Sequence, residues 1–569
     1  MKSNRVSSAG VACALAFFVL VLITGMSAQE KTSSRRGAPQ DWTQGHIVFT
    51  RDGLAKNPDL IDREPRIFRE AMQRWQTSNP GTFIPSEARA AQPQNIQPQI
   101  TRDWTLTNLG GRLRTGMFPA KFTFDPTATP SCANDYIVFG LAVPGTTGSG
   151  GEANLVAFNN LYVDSSGDGG GLCPGTAPTP LFAYNITTLP GGKILTSPIM
   201  SLDGTKIAFM ETVPGGPGTG HAIFHVVTWT AGDGTGVGGP IAPGSMTSIQ
   251  LFTPVALTSI TDSASSPWLD YATGTVYVGA DNGYVYQITG ALTGTPVLSG
   301  SPWPAQTGLN YRLTAPVLDF SRGLLMVGSS NGNLYQITTS NASVASATVG
   351  ASGQTSSGII APPIVDVTNG TTFAIDANDG TSAVLKEFDT ASLAFLPPVA
   401  RIGLGSAGGT GTKVFLYQPT FSNDYYNDPS TGFILTCGTG AADTTPWVYG
   451  FGFDDGRTIN TLPTFSHQLA TGGRCEGWTE FFNPNIGPIN GTDFFFSGLT
   501  TDCTSWGSGL TVGCVLSATI PSGVFSATAV AVTGGPSGIV VDNYDTTGSS
   551  IYFNSLSSNV AYKYTDDLQ

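Results

Sequence analysis

Charge is scarce in this chain: only 11% of its 569 residues are Asp, Glu, Lys or Arg, and there are four histidines. So little charge leaves few candidates for acid–base chemistry. No two cysteines are adjacent and no Cys-x-x-Cys spacing occurs, which argues against a zinc site. No Gly-Lys-Ser/Thr ending follows the glycine-rich stretch Pro214 to Gly244, so that stretch is an insertion between strands and not a phosphate loop. No serine nucleophile elbow and no conspicuous acid pair stands out. After the first residues, no apolar run is long enough to cross a bilayer.

What the chain has in quantity is turn chemistry. The 72 glycines and 38 prolines give the profile of an all-β protein. One segment occurs twice at an offset of 49, Pro267 to Thr289 (PWLDYATGTVYVGADNGYVYQIT) and Pro316 to Thr338 (PVLDFSRGLLMVGSSNGNLYQIT), with eleven coincident positions. Each copy holds an apolar strand, a turn, an alternating strand such as Thr275 to Val278, an Asn-Gly turn and a further alternating strand. That is a hairpin on a meander. Asn282-Gly283 and Asn331-Gly332 predict type I′ turns with two positive-φ residues. Gly279 and Gly328 mark close backbone approach to an adjoining sheet or a central axis. A period near fifty built from such units predicts a radial array of small sheets.

The repeats VYVGADNGYVYQI and LLMVGSSNGNLYQI resemble PQQ-like β-propeller repeats, the blade type of the quinoprotein alcohol dehydrogenase-like superfamily. From about Asp103 onward the chain also resembles a group of secreted bacterial proteins, through Phe118 to Gly140, Ala153 to Tyr162 and Ile194 to Met210. The resemblance implies a propeller fold and is weak for function. A quinoprotein dehydrogenase would imply adjacent cysteines beside the cofactor, a tryptophan platform, calcium and an aspartate base. The adjacent cysteines are missing here, so neither PQQ nor calcium is expected as a cofactor.

Lys2 and Arg5, the apolar run Val11 to Gly25, and small residues at Ser27 and Ala28 read as an export signal over residues 1–28. Met26 fits the cleavage pattern poorly and leaves retention as an uncleaved anchor open. Removing the signal leaves six cysteines, an even number that favours disulfides in an exported chain. Pairing by proximity joins Cys132 with Cys173, Cys437 with Cys475, and Cys503 with Cys514, one of fifteen arrangements. The formal charge of −13 argues against nucleic acid and anionic lipid as partners.

Residues 29–102 form an extension richer in charge, proline and glutamine. Within it, Ile67, Met72 and Trp75 recur at roughly helical spacing after Pro65, which predicts a short amphipathic helix strapped to the outside of the array. The propeller spans 103–569, with units starting near Lys121, Ile194, Ser265, Thr314, Ile359, Val414, Gly477 and Pro536. That predicts eight four-stranded antiparallel blades. The last unit stops after its third strand, and the orphan strand Asp103 to Thr107 is expected to complete it, closing the ring and removing exposed edges.

Candidate site residues mostly have plainer explanations. His221 and His225 have the spacing of a helical zinc pair, but HAIFHVVTW is β-branched and aromatic, so it is a strand with the two rings roughly 13 Å apart. Asp164, Asp168 and Gly169 open like a calcium loop, yet Gly175 stands where the closing acid belongs. Asp376, Asn378, Asp379 and Gly380 resemble such a loop less. Asp270, Asp319 and Asp366 repeat because a turn repeats. Trp303, Trp447, Trp478 and Trp506 would suit a carbohydrate groove or inter-blade packing. The expectation is an exported, monomeric, non-enzymatic binding scaffold, secreted, periplasmic or at the cell surface, whose loops engage a protein or glycan. No catalytic, cofactor or metal residue is assigned. The alternative is an enzyme, either a degenerate quinoprotein oxidoreductase or a polysaccharide-acting propeller.

Overall fold

The repeated residues build each blade by local hydrogen bonding. The computed structural model describes residues 37–75, 100–125, 129–148, 150–163, 172–175, 178–213, 220–234, 236, 238–252, 265–309, 311–350, 358–408, 416–454, 457–484, 491–507, 509–542 and 549–566. Asp270, Asp319 and Asp366 end their strands by accepting from backbone N–H groups two or three residues on, those of Ala272, Ser321 and Thr368 among them. The glycine four places later, at 274, 323 and 370, takes a positive φ of 66°, 66° and 72°. The Asn-Gly turns differ from the type I′ expectation, because only Gly283 and Gly332 have positive φ, 84° and 82°. Each is a three-residue turn closed by the glycine. The asparagine serves another purpose, since Asn282 and Asn331 donate to Tyr286 and Tyr335 four residues on, at 2.7 and 2.9 Å. That bond accounts for the tyrosine in both copies.

Eight such sheets form a β-propeller ring. Blade 1 is Ala120–Thr123, Tyr136–Gly140, Leu155–Asn159 and Thr179–Tyr184; blade 2 is Ile199–Met200, Lys206–Val213, His221–Thr228 and Met246–Gln250, with Lys193–Ile194 alongside. Blades 3 to 7 open with the inner strands Trp268–Asp270, Val317–Asp319, Ile364–Asp366, Thr420–Phe421 and Thr479–Asn483. Blade 8 holds Val540–Asp542, Ser549–Asn554 and Ala561–Asp566, and its fourth strand is Ile100–Leu106 from far upstream. Thr101 lies opposite Thr565 and Trp104 opposite Lys563, so the ring closes as the strand count predicts. Asp103 pins the closure by accepting from Lys563 Nζ and Thr565 Oγ1, both at 2.6 Å.

Inner strands are buried and outer strands largely exposed, as in Met246–Gln250. Blades pack face to face through aliphatic and aromatic side chains. Gly279 and Gly328 sit where the next blade begins: a Cβ on them would lie 2.9 Å from Leu313 and 2.4 Å from Ile359. The disulfides join Cys132 to Cys173, Cys437 to Cys475 and Cys503 to Cys514. Among the described residues no helix is long and apolar enough to cross a membrane. The export signal lies outside them.

The extension does not strap the outside; it fills the bore. Ala38–Gln40 pairs antiparallel with the inner strand of blade 1, and Ile47–Val48 pairs parallel with the inner strand of blade 5, across the ring. The chain turns between them at Thr43 to His46 and continues into three short helices, α1 (Arg51–Lys56), α2 (Asp59–Arg63) and α3 (Pro65–Trp75). Trp42 Nε1 donates to Pro267 O, and Arg66 Nη2 donates to Leu269 O at 2.8 Å while lying over the Trp268 ring. At the end of α3, Arg74 Nη1 bonds Glu480 at 2.8 Å and Asn423 at 3.0 Å, beneath Tyr426. The helix therefore buries Arg66 and Arg74 beside Ile67 and Ala71. An apolar stripe alone points outward-packed; the buried guanidinium groups, each matched by an acceptor on an inner strand, reverse that reading.

Replacing Arg74 by methionine leaves the buried Glu480 carboxylate without its cation, and should cost about 3–5 kcal/mol in denaturant unfolding. A loss below about 1 kcal/mol would show that the helix does not anchor the bore.

Candidate functional site

Each blade sends its inner strand away from one face of the ring, so the segments leading into the inner strands gather on that face, here the upper one. The helices cover the opposite, lower face, where the inner strands end: Gly53 abuts Thr368, and Arg63 lies over Phe320. Among the described residues the helices leave the upper mouth of the bore uncovered. Its floor is the turn of the plugging segment, where His46 Nδ1 meets Pro363 O at 3.2 Å and Gln44 O accepts from Gln418 Nε2 at 3.3 Å. Burial lowers the His46 imidazole to about 4, so it is neutral at physiological pH.

Three leading segments bring arginines to this mouth: Arg114 before blade 1, Arg312 before blade 4 and Arg474 before blade 7. Tyr417, before blade 6, lies within electrostatic reach of all three and of Glu476. Its ring crosses to blade 1, where a Cβ on Gly116 would come within 2.9 Å of it. Burial and Glu476 push the Tyr417 hydroxyl up, against the three guanidinium groups, so it remains a neutral donor. The backbone fixes the positions of two of them, because Arg312 exchanges hydrogen bonds with Ser330, just past the second strand of its blade, and Arg474 with Thr500, within the second strand of its own.

Glu476 is buried, and neither of its carboxylate oxygens has a hydrogen-bond partner. Burial raises it to about 8 and Arg474 only partly offsets this, so the acid is mostly protonated at neutral pH. Three arginines and a protonated acid thus meet around Tyr417, on a chain whose formal charge is −13.

The residues singled out from sequence are dispersed. His221 and His225 lie on one strand of blade 2, His221 beside Gln250 and His225 bonded to Glu211 and Ser248. Trp303 donates to Thr339 of the next blade, Trp506 to Leu469, and Trp478 is fully buried, so these indoles pack blades together. Asp376 accepts from Asn378 N, and Asp379 caps Thr381 and Ser382, which makes that stretch a turn. Asp164 to Gly169 and parts of the Pro214 to Gly244 insertion lie outside the described residues. Trp42, His46 and Arg66 occupy the axis, and the six cysteines among the described residues are joined in disulfides between separated positions.

No known family matches the chain, and no curated protein does. Among solved structures, BamB from Moraxella catarrhalis has a TM-score of 0.42 and 13% identity over 82% of this chain and 97% of its own. Sqt1 from Saccharomyces cerevisiae has 0.44 and 9% over 82% and 98%, and the computationally designed Ika8 protein 0.40 and 13% over 82% and 100%. These concern overall architecture only.

Ionising Glu476 adds negative charge to a dry site. Its folded pKa exceeds the unfolded value, so its contribution favours the fold at low pH and is lost as pH rises from about 4.5 to about 8. Glu476→Gln should melt higher than the parent at pH 9 and within a degree or so of it at pH 4. Equal melting temperatures at both pH values would place the carboxylate in water.

Proposed function

We propose that the protein is an exported binding platform whose upper mouth docks an anionic group, carboxylate or sulfate, of a protein or glycan partner. The observation that carries this reading is the gathering of Arg114, Arg312 and Arg474 around Tyr417. Guanidinium groups match oxyanions in shape and remain charged when partly buried. Positions 114, 312 and 474 belong to blades 1, 4 and 7, so their meeting at the axis follows from the ring and from no local motif. A rigid ring with a filled bore also holds the leading segments in place without needing the partner, which reduces the ordering cost of binding. Three disulfides support an oxidising compartment and hence export.

An acidic partner is repelled at long range by the rest of the surface, so affinity should rest on contacts at the mouth. Calorimetric titration with oligogalacturonate and with an oligoglutamate peptide distinguishes glycan from protein. At least one should bind, and the Arg312→Ala/Arg474→Ala pair should weaken it at least about tenfold, or about 1.4 kcal/mol, without lowering the melting temperature. Binding by neither probe, or binding indifferent to the double substitution, would overturn the reading.

A further inference from the structure

Three polar side chains cross one face of blade 2 in a row, one from each of its three outer strands, far from the axis. Phe209 lies opposite His225, and His225 opposite Ser248, so Glu211, two residues from Phe209, shares their face. His225 Nε2 is 2.8 Å from Glu211 Oε2, and His225 Nδ1 is 2.9 Å from Ser248 Oγ. Glu211 also accepts from the N–H groups of Thr188 and Leu189, at 2.9 and 3.3 Å, and from the Thr188 hydroxyl. Burial alone would raise this carboxyl, but the bonds from His225 and Thr188 outweigh it and hold it below its ordinary value. An ionised carboxylate only accepts, so the imidazole proton sits on Nε2. The Nδ1 lone pair then accepts the Ser248 hydroxyl proton.

Exposure follows the same gradient. Glu211 and His225 are fully buried, with Phe209 against the imidazole at 5.5 Å, while Ser248 is exposed on the outermost strand. Leu251 bonds to Ala222 and Thr228 to Ser245, which places Ser248 at a non-hydrogen-bonded position of the ladder. Its own N–H therefore points away from His221–Thr228, to the edge that no described strand pairs.

From this geometry we infer a second site, distinct from the mouth and independent of its reading: Ser248 is the nucleophile and His225 the base of an acyl-transfer centre acting on esters, with Glu211 as positioning residue. Ser248 Oγ adds to the ester carbonyl carbon and its proton passes to His225 Nδ1. Glu211 stabilises the imidazolium through Nε2–H, and the Ser248 N–H is the donor nearest the oxyanion. Collapse breaks the bond to the leaving oxygen, which takes the proton from Nδ1 and departs as the alcohol. Water then adds to the acyl-serine by the same proton route and releases the acid, restoring Ser248. An open strand edge encloses no small molecule, so the substrate class it suits is an acyl ester, such as an acetyl group, projecting from a larger chain.

A fluorophosphonate probe followed by peptide mass spectrometry, with p-nitrophenyl acetate turnover alongside, tests the site on the full chain. The wild type should be labelled at Ser248, Ser248→Ala should lose that label with an unchanged melt, and His225→Gln should slow labelling at least about 100-fold. Glu211→Gln should shift the pH at which labelling accelerates, and Glu211→Asp should restore part of the rate, neither of which a purely structural carboxylate would do. Should His225→Gln fail to fold, the wild-type label and its pH profile decide. Absence of label on folded wild type, or labelling at an equal rate in folded His225→Gln, would overturn the assignment.

Discussion

The bore of an eight-bladed ring is the constraint on which the rest depends. Blades are wedges, and the more of them stand around an axis, the wider the gap their inner strands leave. The inner strands here are two to five residues long and cannot fill that gap with their own side chains. The chain fills it with residues 37–75. That segment enters from the lower face along blade 1, turns beneath the upper mouth and returns along blade 5 before its helices cover the lower face. Main-chain pairing to opposite blades satisfies backbone groups that would otherwise lie in a dry interior.

Filling the bore with a charged segment has consequences for both faces. Arg66 and Arg74 are buried, each beside a carboxylate, Glu64 and Glu480, at the lower side. Such pairs gain little over apolar packing but cost several kcal/mol when one partner goes, so they fix where the plug sits more than they stabilise the ring. Among the described residues the helices cover the lower face and leave the upper mouth to the segments that lead into the blades. The floor of that mouth is neutral, with His46 held uncharged, and its rim carries guanidinium charge.

The ring was legible in the sequence because its determinants are local. The aspartate that caps a turn and the positive-φ glycine four residues later recur in blades 3, 4 and 5, the Asn-Gly before a tyrosine in blades 3 and 4, and the other starts and the missing strand follow from counting apolar strands. The turn type is not legible in the same way, because an Asn-Gly pair suggests backbone freedom at both residues, whereas the side chains of Asn282 and Asn331 bind tyrosines. The plug was illegible for a different reason. Over Pro65 to Trp75 the spacing of Ile67, Met72 and Trp75 is the same whether the helix lies outside the ring or within it, and arginine ordinarily marks the solvent side. Nothing near Arg114, Arg312 or Arg474 announces a site, since each lies in a connecting segment without a motif and the ring alone brings it to the others. Ser248, His225 and Glu211 likewise sit on three strands, and the signal that could have found them is strand register.

Two acids of blade 7 show how the plug decides where charge resides. Glu480 and Glu476 are four residues apart and both nearly inaccessible. Glu480 faces Arg74 of the plug and is engaged by both guanidinium nitrogens. Glu476 lies toward the upper mouth, beyond the reach of any plug arginine, and burial raises it to about 8. One carboxyl therefore belongs to a buried ion pair and the other gives up its charge at neutral pH. The protonation of Glu476 thus depends on where a segment more than four hundred residues upstream in the chain sets its cations.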